Sequence, residues 1–206
     1  MATSMSKRGK GPRTPKTGES GFSLLEVVVS MAILTVGLVS LLGMFGLAMA
    51  STQTSQEDMI AKQLANEALE SIITARNTSQ KNWDDIQNSG STNCPITGAS
   101  TCGIFLGGAQ AINNAGADGI FGTSDDAAAG AEVLREPGPD GIYGNSNDVY
   151  IPLTNYQRTI VFSALTDAQG NLVTTLRGVN ITIQYNTPST KLAKSYVLNS
   201  YISQYQ

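Results

Sequence analysis

The 206-residue chain contains no histidine, two cysteines and one tryptophan, and only 14% of its residues are charged. Without histidine there is no Ser/His/Asp or Cys/His nucleophile pair and no His-ligated zinc site, which removes the commonest hydrolase and metalloenzyme constellations. Aspartate and glutamate are scattered with no visible base beside a nucleophile, so no enzyme is expected. The C-x7-C spacing of Cys94 and Cys102 does not suggest a metal site. Proline is missing between Pro15 and Pro95, and from Phe22 to Ala50 the single ionisable group is Glu26. Beyond residue 21 there are eight basic against fifteen acidic residues, a net −7, and no basic nucleic-acid face is evident.

The sequence does hold a strong segregation of charge and apolarity. Residues 1–21 carry five basic residues, Lys7, Arg8, Lys10, Arg13 and Lys16, against Glu19, a net +4. The 29 residues that follow, 22–50, are long enough as a helix to exceed the roughly 30 Å hydrocarbon core of a bilayer. The basic flank predicts an N-in, C-out single span, with residues 51–206 beyond the cytoplasmic (inner) membrane. The apolar run is too long for a standard secretory signal peptide.

Glu26 is out of place in a plain anchor, since a carboxylate inside a membrane helix costs roughly 2.5–3.5 kcal/mol. No cation follows it within the run; an α-amino group made by cutting before Phe22 would supply one. The stretch Gly21-Phe22-Ser23-Leu24-Leu25-Glu26-Val27-Val28-Val29 resembles the prepilin cleavage and methylation signature of type IV pilins and type II secretion pseudopilins. With Met31–Leu38 and Gln63–Ile72, the similarity is greatest to PilV-type minor pilins and I-type minor pseudopilins. The resemblance implies that a membrane peptidase removes the leader between Gly21 and Phe22 and that Phe22 is N-methylated. It also implies that Glu26 meets the Phe22 amino group of a neighbouring subunit during filament assembly. The leader is longer than in many pilins, although a start at Met5 would shorten it. The helix lacks the family's frequent proline, leaving Gly37, Gly43 and Gly46 as its weak points.

After Ala50 the pattern becomes amphipathic: Ile60, Leu64, Ala68 and Ile72 recur every four residues, so residues 51–78 are expected to continue the helix. The alternative is a second helix starting near Ser51. Residues 79–206 form the expected extracytoplasmic head. Its first part, 79–150, is rich in Gly, Asn, Ser and Asp and reads as loops and short turns. Cys94 and Cys102 either form a disulfide in an oxidising compartment or remain two thiols.

Residues 116–126 and 138–148 are an internal repeat, identical at seven of eleven positions and reading D-G-I-[FY]-G-[TN]-S-[DN]-D. The motif resembles short Asp/Gly calcium loops of secreted bacterial proteins, without the order of an EF-hand. Side-chain ligands to calcium would be Asp118, Asp125 and Asp126 in the first copy and Asp140, Asn147 and Asp148 in the second. Asx- and Gly-stabilised turns in two hairpins, with no ion bound, are the alternative.

Residues 151–206 alternate as strands do, with Val179, Ile181, Ile183 and Tyr185 on one face; Arg158–Phe162 and Tyr196–Ile202 are further strands. Tyr185, Tyr196, Tyr201 and Tyr205 are candidates for an adhesive patch. The fold class expected is α+β: a long N-terminal helix packed on an antiparallel sheet of about three or four strands, the pilin ladle. The functional expectation is a minor pilin that assembles with other pilin subunits, is processed by a prepilin peptidase and methylase, and engages pilus assembly machinery. Its mature location would be a cell-surface pilus. A minor pseudopilin of a periplasmic type II secretion pseudopilus shares the N-terminal residues, and a membrane-anchored binding module is the reading from a different class.

Overall fold

The computed structural model describes residues 21–187 and 193–205; the leader before Gly21 lies outside the described residues. Helix α1 is a single element, Leu24–Asn77. The alternative of two helices meeting near Ser51 is therefore not what forms, and the helix passes through Gly37, Gly43 and Gly46 without a break. By internal contacts the chain divides into two units, one ending at Ala48 and one spanning Met49–Gln206.

In the first unit every described residue from Gly21 to Ala48 is exposed. The second unit has its own core. Along α1 the buried positions are Ala61, Leu64, Ala65, Ala68, Ile72 and Ala75. The alanines widen the expected four-residue stripe into a flat face that lets the helix lie close to a sheet. That sheet has the order β1-β4-β5-β6, from Gln110–Ala111, Tyr156–Thr166, Leu172–Asn186 and Ala193–Ser203, all antiparallel. Its alternation puts Ile160, Val179, Ile181, Ile183 and Ile202 against α1, as the period of two requires. Two anchors fix the helix to the sheet: the Tyr185 hydroxyl donates to Asp58 at 2.6 Å, and Arg76 Nη1 donates to the carbonyls of Ser203 and Tyr205 at 3.0 and 2.9 Å.

Two paired elements stand in the region read as loops and short turns. Strand β1 joins the main sheet at the edge of β4, and Asn88 covers the next part of that edge, donating to the Ile160 carbonyl and accepting from the Phe162 N–H, both at 2.8 Å. A separate hairpin pairs β2 (Val133–Glu136) with β3 (Val149–Pro152), and the second repeat is its tip. A short helix α2, Asp126–Ala129, closes the first repeat. Cys94 and Cys102 are joined in a disulfide. The four tyrosines do not form one patch: Tyr185 is buried and Tyr196 is partly buried against the core, while Tyr201 and Tyr205 are exposed. The strand period separates them, since Tyr196 and Tyr201 have opposite parity on β6.

Candidate functional site

Gly21, Phe22 and Ser23 precede α1 as non-helical backbone, and all three are exposed. The helix begins when the Ser23 carbonyl accepts from the N–H groups of Glu26 and Val27, at 2.9 and 3.2 Å. Glu26 thus lies in the first turn, where a carboxylate is favoured by the partial positive charge of the helix N-terminus. The Gly21–Phe22 bond is non-helical and exposed, so a peptidase can reach it. Beyond it, Leu24–Met49 offers only exposed side chains, of which Glu26 alone is charged. The most apolar 18-residue window of α1 has mean hydropathy 2.4 and is wholly uncovered, long and apolar enough to cross a membrane.

The two repeats form the same turn. In the first, the Asp118 carboxylate accepts from the Ile120 N–H at 2.9 Å and Asp126 from the Gly116 and Gly122 N–H groups at 3.0 and 2.6 Å. In the second, Asp140 accepts from the Ile142 N–H at 3.0 Å and Asp148 from the Gly144 N–H at 2.9 Å. Asp125 accepts from the Thr123 hydroxyl and Asp118 N–H, and Asn147 donates its N–H to Asn145 Oδ1 at 3.2 Å. Glycine is required at the loop mouths: a Cβ on Gly116 would stand 2.2 Å from an Asp125 oxygen, and one on Gly138 2.3 Å from the Asn147 carbonyl.

These contacts set the charges of the loops. The Ile142 N–H holds the Asp140 carboxyl below the usual range, the Gly144 N–H does so for Asp148, and the Thr123 hydroxyl for Asp125. Burial raises Asp126. The ligand candidates therefore fall into two separate groups whose oxygens face N–H donors of their own loops. Among the described residues no three His, Cys, Asp or Glu side chains come together in a way that could hold a metal ion. Both copies thus contain Asx-type turns, which leave each carboxylate lone pairs beyond these N–H contacts.

The structure also brings together charged side chains not singled out in the sequence. Arg158, 4% exposed, sits on the inner face of β4 with Glu132 3.8 Å away and its guanidinium 4.5 Å over the Phe121 ring. Burial raises the carboxyls of Glu67 and Glu132. Arg177 stacks over Trp83 at 4.2 Å and donates to the carbonyls of Trp83 and Ile86. Asp84, fully buried, accepts from the N–H groups of Ile96 and Thr97 and so fixes the disulfide loop to the 3-10 turn at Trp83–Asp85. Strand parity could have signalled both arginines, because each falls in an apolar face.

No curated protein and no solved structure matches the chain. Residues 16–42 match the family model described as a prokaryotic N-terminal methylation motif, a match that contains Gly21, Phe22, Glu26 and the uncovered start of α1. With the long helix packed on a small antiparallel sheet, that motif supports a type IV pilin-like protein anchored in a membrane.

Proposed function

We propose that the chain is a structural subunit of a type IV pilus, a minor pilin, cut between Gly21 and Phe22, N-methylated at Phe22 and assembled through Glu26. The observation that carries this reading is the exposed Gly21-Phe22 segment leading into the apolar stretch Leu24–Met49 of α1, whose one charge, Glu26, lies inside the matched motif. Cutting there creates an ammonium beside the positive end of the helix dipole, an unfavourable place for it. A carboxylate from another subunit's Glu26 relieves that charge. In a medium of low dielectric the attraction is strong but desolvation offsets much of it, so the pair sets register between subunits rather than supplying the bulk of the binding energy. The +4 leader stays cytoplasmic, and its loss frees the helix to leave the bilayer for a filament.

Intact mass and N-terminal sequencing of the protein from its native membrane test this reading. A mature chain starting at Phe22 with one added methyl group is expected. A chain still carrying its leader would make it a membrane-anchored binding module instead. Glu26→Ala should still be cleaved but lose incorporation by about tenfold or more, the effect of at least about 1.4 kcal/mol; unchanged incorporation removes the pairing role. A type II secretion pseudopilus subunit would give the same N-terminus, and the site of assembly, cell surface or periplasm, separates the two.

A further inference from the structure

The two repeats provide an internal control for what this loop does with its apolar residues. Their backbones coincide in detail: the Gly119 and Gly141 N–H groups close the same turn on Gly116 and Gly138 at 3.1 and 2.9 Å, and φ at Gly119 and Gly141 is 69° and 70°. The turn needs its aspartates and glycines. It does not need the isoleucine and aromatic residue that both copies carry between them.

In the first copy that pair has a receiving surface. Ile120 is 1% exposed in the core, and Phe121 packs beside it under the Arg158 guanidinium. The Phe121 N–H reaches Ser71 Oγ on α1 at 3.4 Å, and Lys81, just past the end of α1, pairs with Asp118 at 3.2 Å. In the second copy the same positions, Ile142 and Tyr143, are 61% and 63% exposed. Among the described residues the hydrogen-bond partners of Asp140 all belong to its own loop. The loop is displayed at the tip of the β2–β3 hairpin, with Asp148 held from behind by Arg135.

We propose that the second repeat, residues 138–148, is a docking knob for another protein chain. The surface it fits resembles the one that α1, Lys81 and β4 offer the first repeat: the side of an α-helix lined by small residues, with cationic side chains for the ring and for Asp140. A lipid surface fits poorly, because the Asp140 carboxylate stands two residues from Ile142. A tyrosine in place of phenylalanine suits an interface, where the ring is buried and the hydroxyl keeps a polar contact. The docking does not depend on the filament reading, since its occupant is defined by chemistry: a helix side of small residues flanked by cations, as Ser71, Lys81 and Arg158 are for the first repeat.

The experiment uses the full-length protein in its native membrane, with Tyr143 replaced by a photoreactive benzophenone amino acid and the crosslinked peptide identified by mass spectrometry. A product joining position 143 to a helical, small-residue segment of another chain is expected. Crosslinks confined to the same chain or to lipid, or none, overturn the proposal. As a second measurement, Ile142→Ser with Tyr143→Ser should leave the thermal stability of the head unchanged while lowering recovery of that partner in a chemical-crosslinking pull-down by about tenfold or more, the scale of losing an aromatic anchor. Recovery within twofold of wild type overturns the proposal as well. Leader removal measured on the same variant keeps this outcome distinct from a failure of the pilin reading: a processed chain without partner loss counts against the knob alone.

Discussion

Asp84 shows how one residue organises a segment that has little hydrophobic periodicity. Burial alone would raise its pKa, but the donors from Thr97 and Ile96, with Arg177 nearby, outweigh that and hold the carboxyl below the usual range. A carboxyl whose folded-state pKa is lowered contributes stability above its unfolded value, near 3.9, and loses it as pH falls toward the folded value. Asp84→Asn keeps the shape but cannot accept all of these bonds, and is expected to cost about 2–3 kcal/mol at neutral pH. Urea unfolding followed by Trp83 fluorescence checks this, because the single tryptophan is the adjacent residue. The gap between wild type and variant should shrink between pH 5 and pH 3; an equal gap at both would show that the charge is not what holds the loop. Nothing in the local sequence marks Asp84 apart from Asp85, because the distinction is made by Thr97, brought near through the Cys94–Cys102 loop.

At the scale of elements, the repeated loops pose the question of calcium. Each carboxylate has an N–H partner within its own loop, which a turn without an ion already supplies, and each keeps acceptor sites that a cation could take. On the ion-free reading, Asp118→Ala together with Asp140→Ala should lower the thermal stability of the protein to the same extent with added calcium and with a chelator. A loss confined to the calcium-containing sample would assign the loops to ion binding instead. The helix and strands were far more legible than the loops. The four-residue spacing of Ile60, Leu64, Ala68 and Ile72 named the packed face of α1, and alternation from Val179 to Tyr185 named the inner face of β5. The strands run longer than their apolar cores, since β4 and β5 extend toward a turn held by Asp167, which accepts from the Gln169 and Asn171 N–H groups. Strand β1 was not legible, because two residues are too few to show a period; the β2–β3 hairpin is what the turn reading of the second repeat implied, whereas the first repeat is closed by α2.

For the whole molecule, the division between Ala48 and Met49 separates a segment whose described side chains are all exposed from one with its own core. A chain shortened to Met49–Gln206 is therefore expected to fold and to stay monodisperse without detergent, with its disulfide formed and the cooperative unfolding of a single core. The full-length chain should require detergent or a bilayer, because the apolar surface of Leu24–Met49 is far larger than a soluble monomer leaves exposed. Size-exclusion chromatography and circular dichroism of both forms test this; a shortened chain that aggregates or lacks a cooperative transition would show that the head needs the preceding helix. The sequence by itself determined the basic leader, the apolar span, Glu26 within it, the amphipathic continuation and the alternating strands, because each is a local pattern of charge or period. Only the tertiary structure decided what the buried arginines pack against, which aspartate is sealed from water, and which of two near-identical loops is packed and which displayed. Those outcomes depend on surfaces such as Ser71 and Arg158 that are distant along the chain, and burial is set by what comes to lie against a residue rather than by its neighbours in sequence.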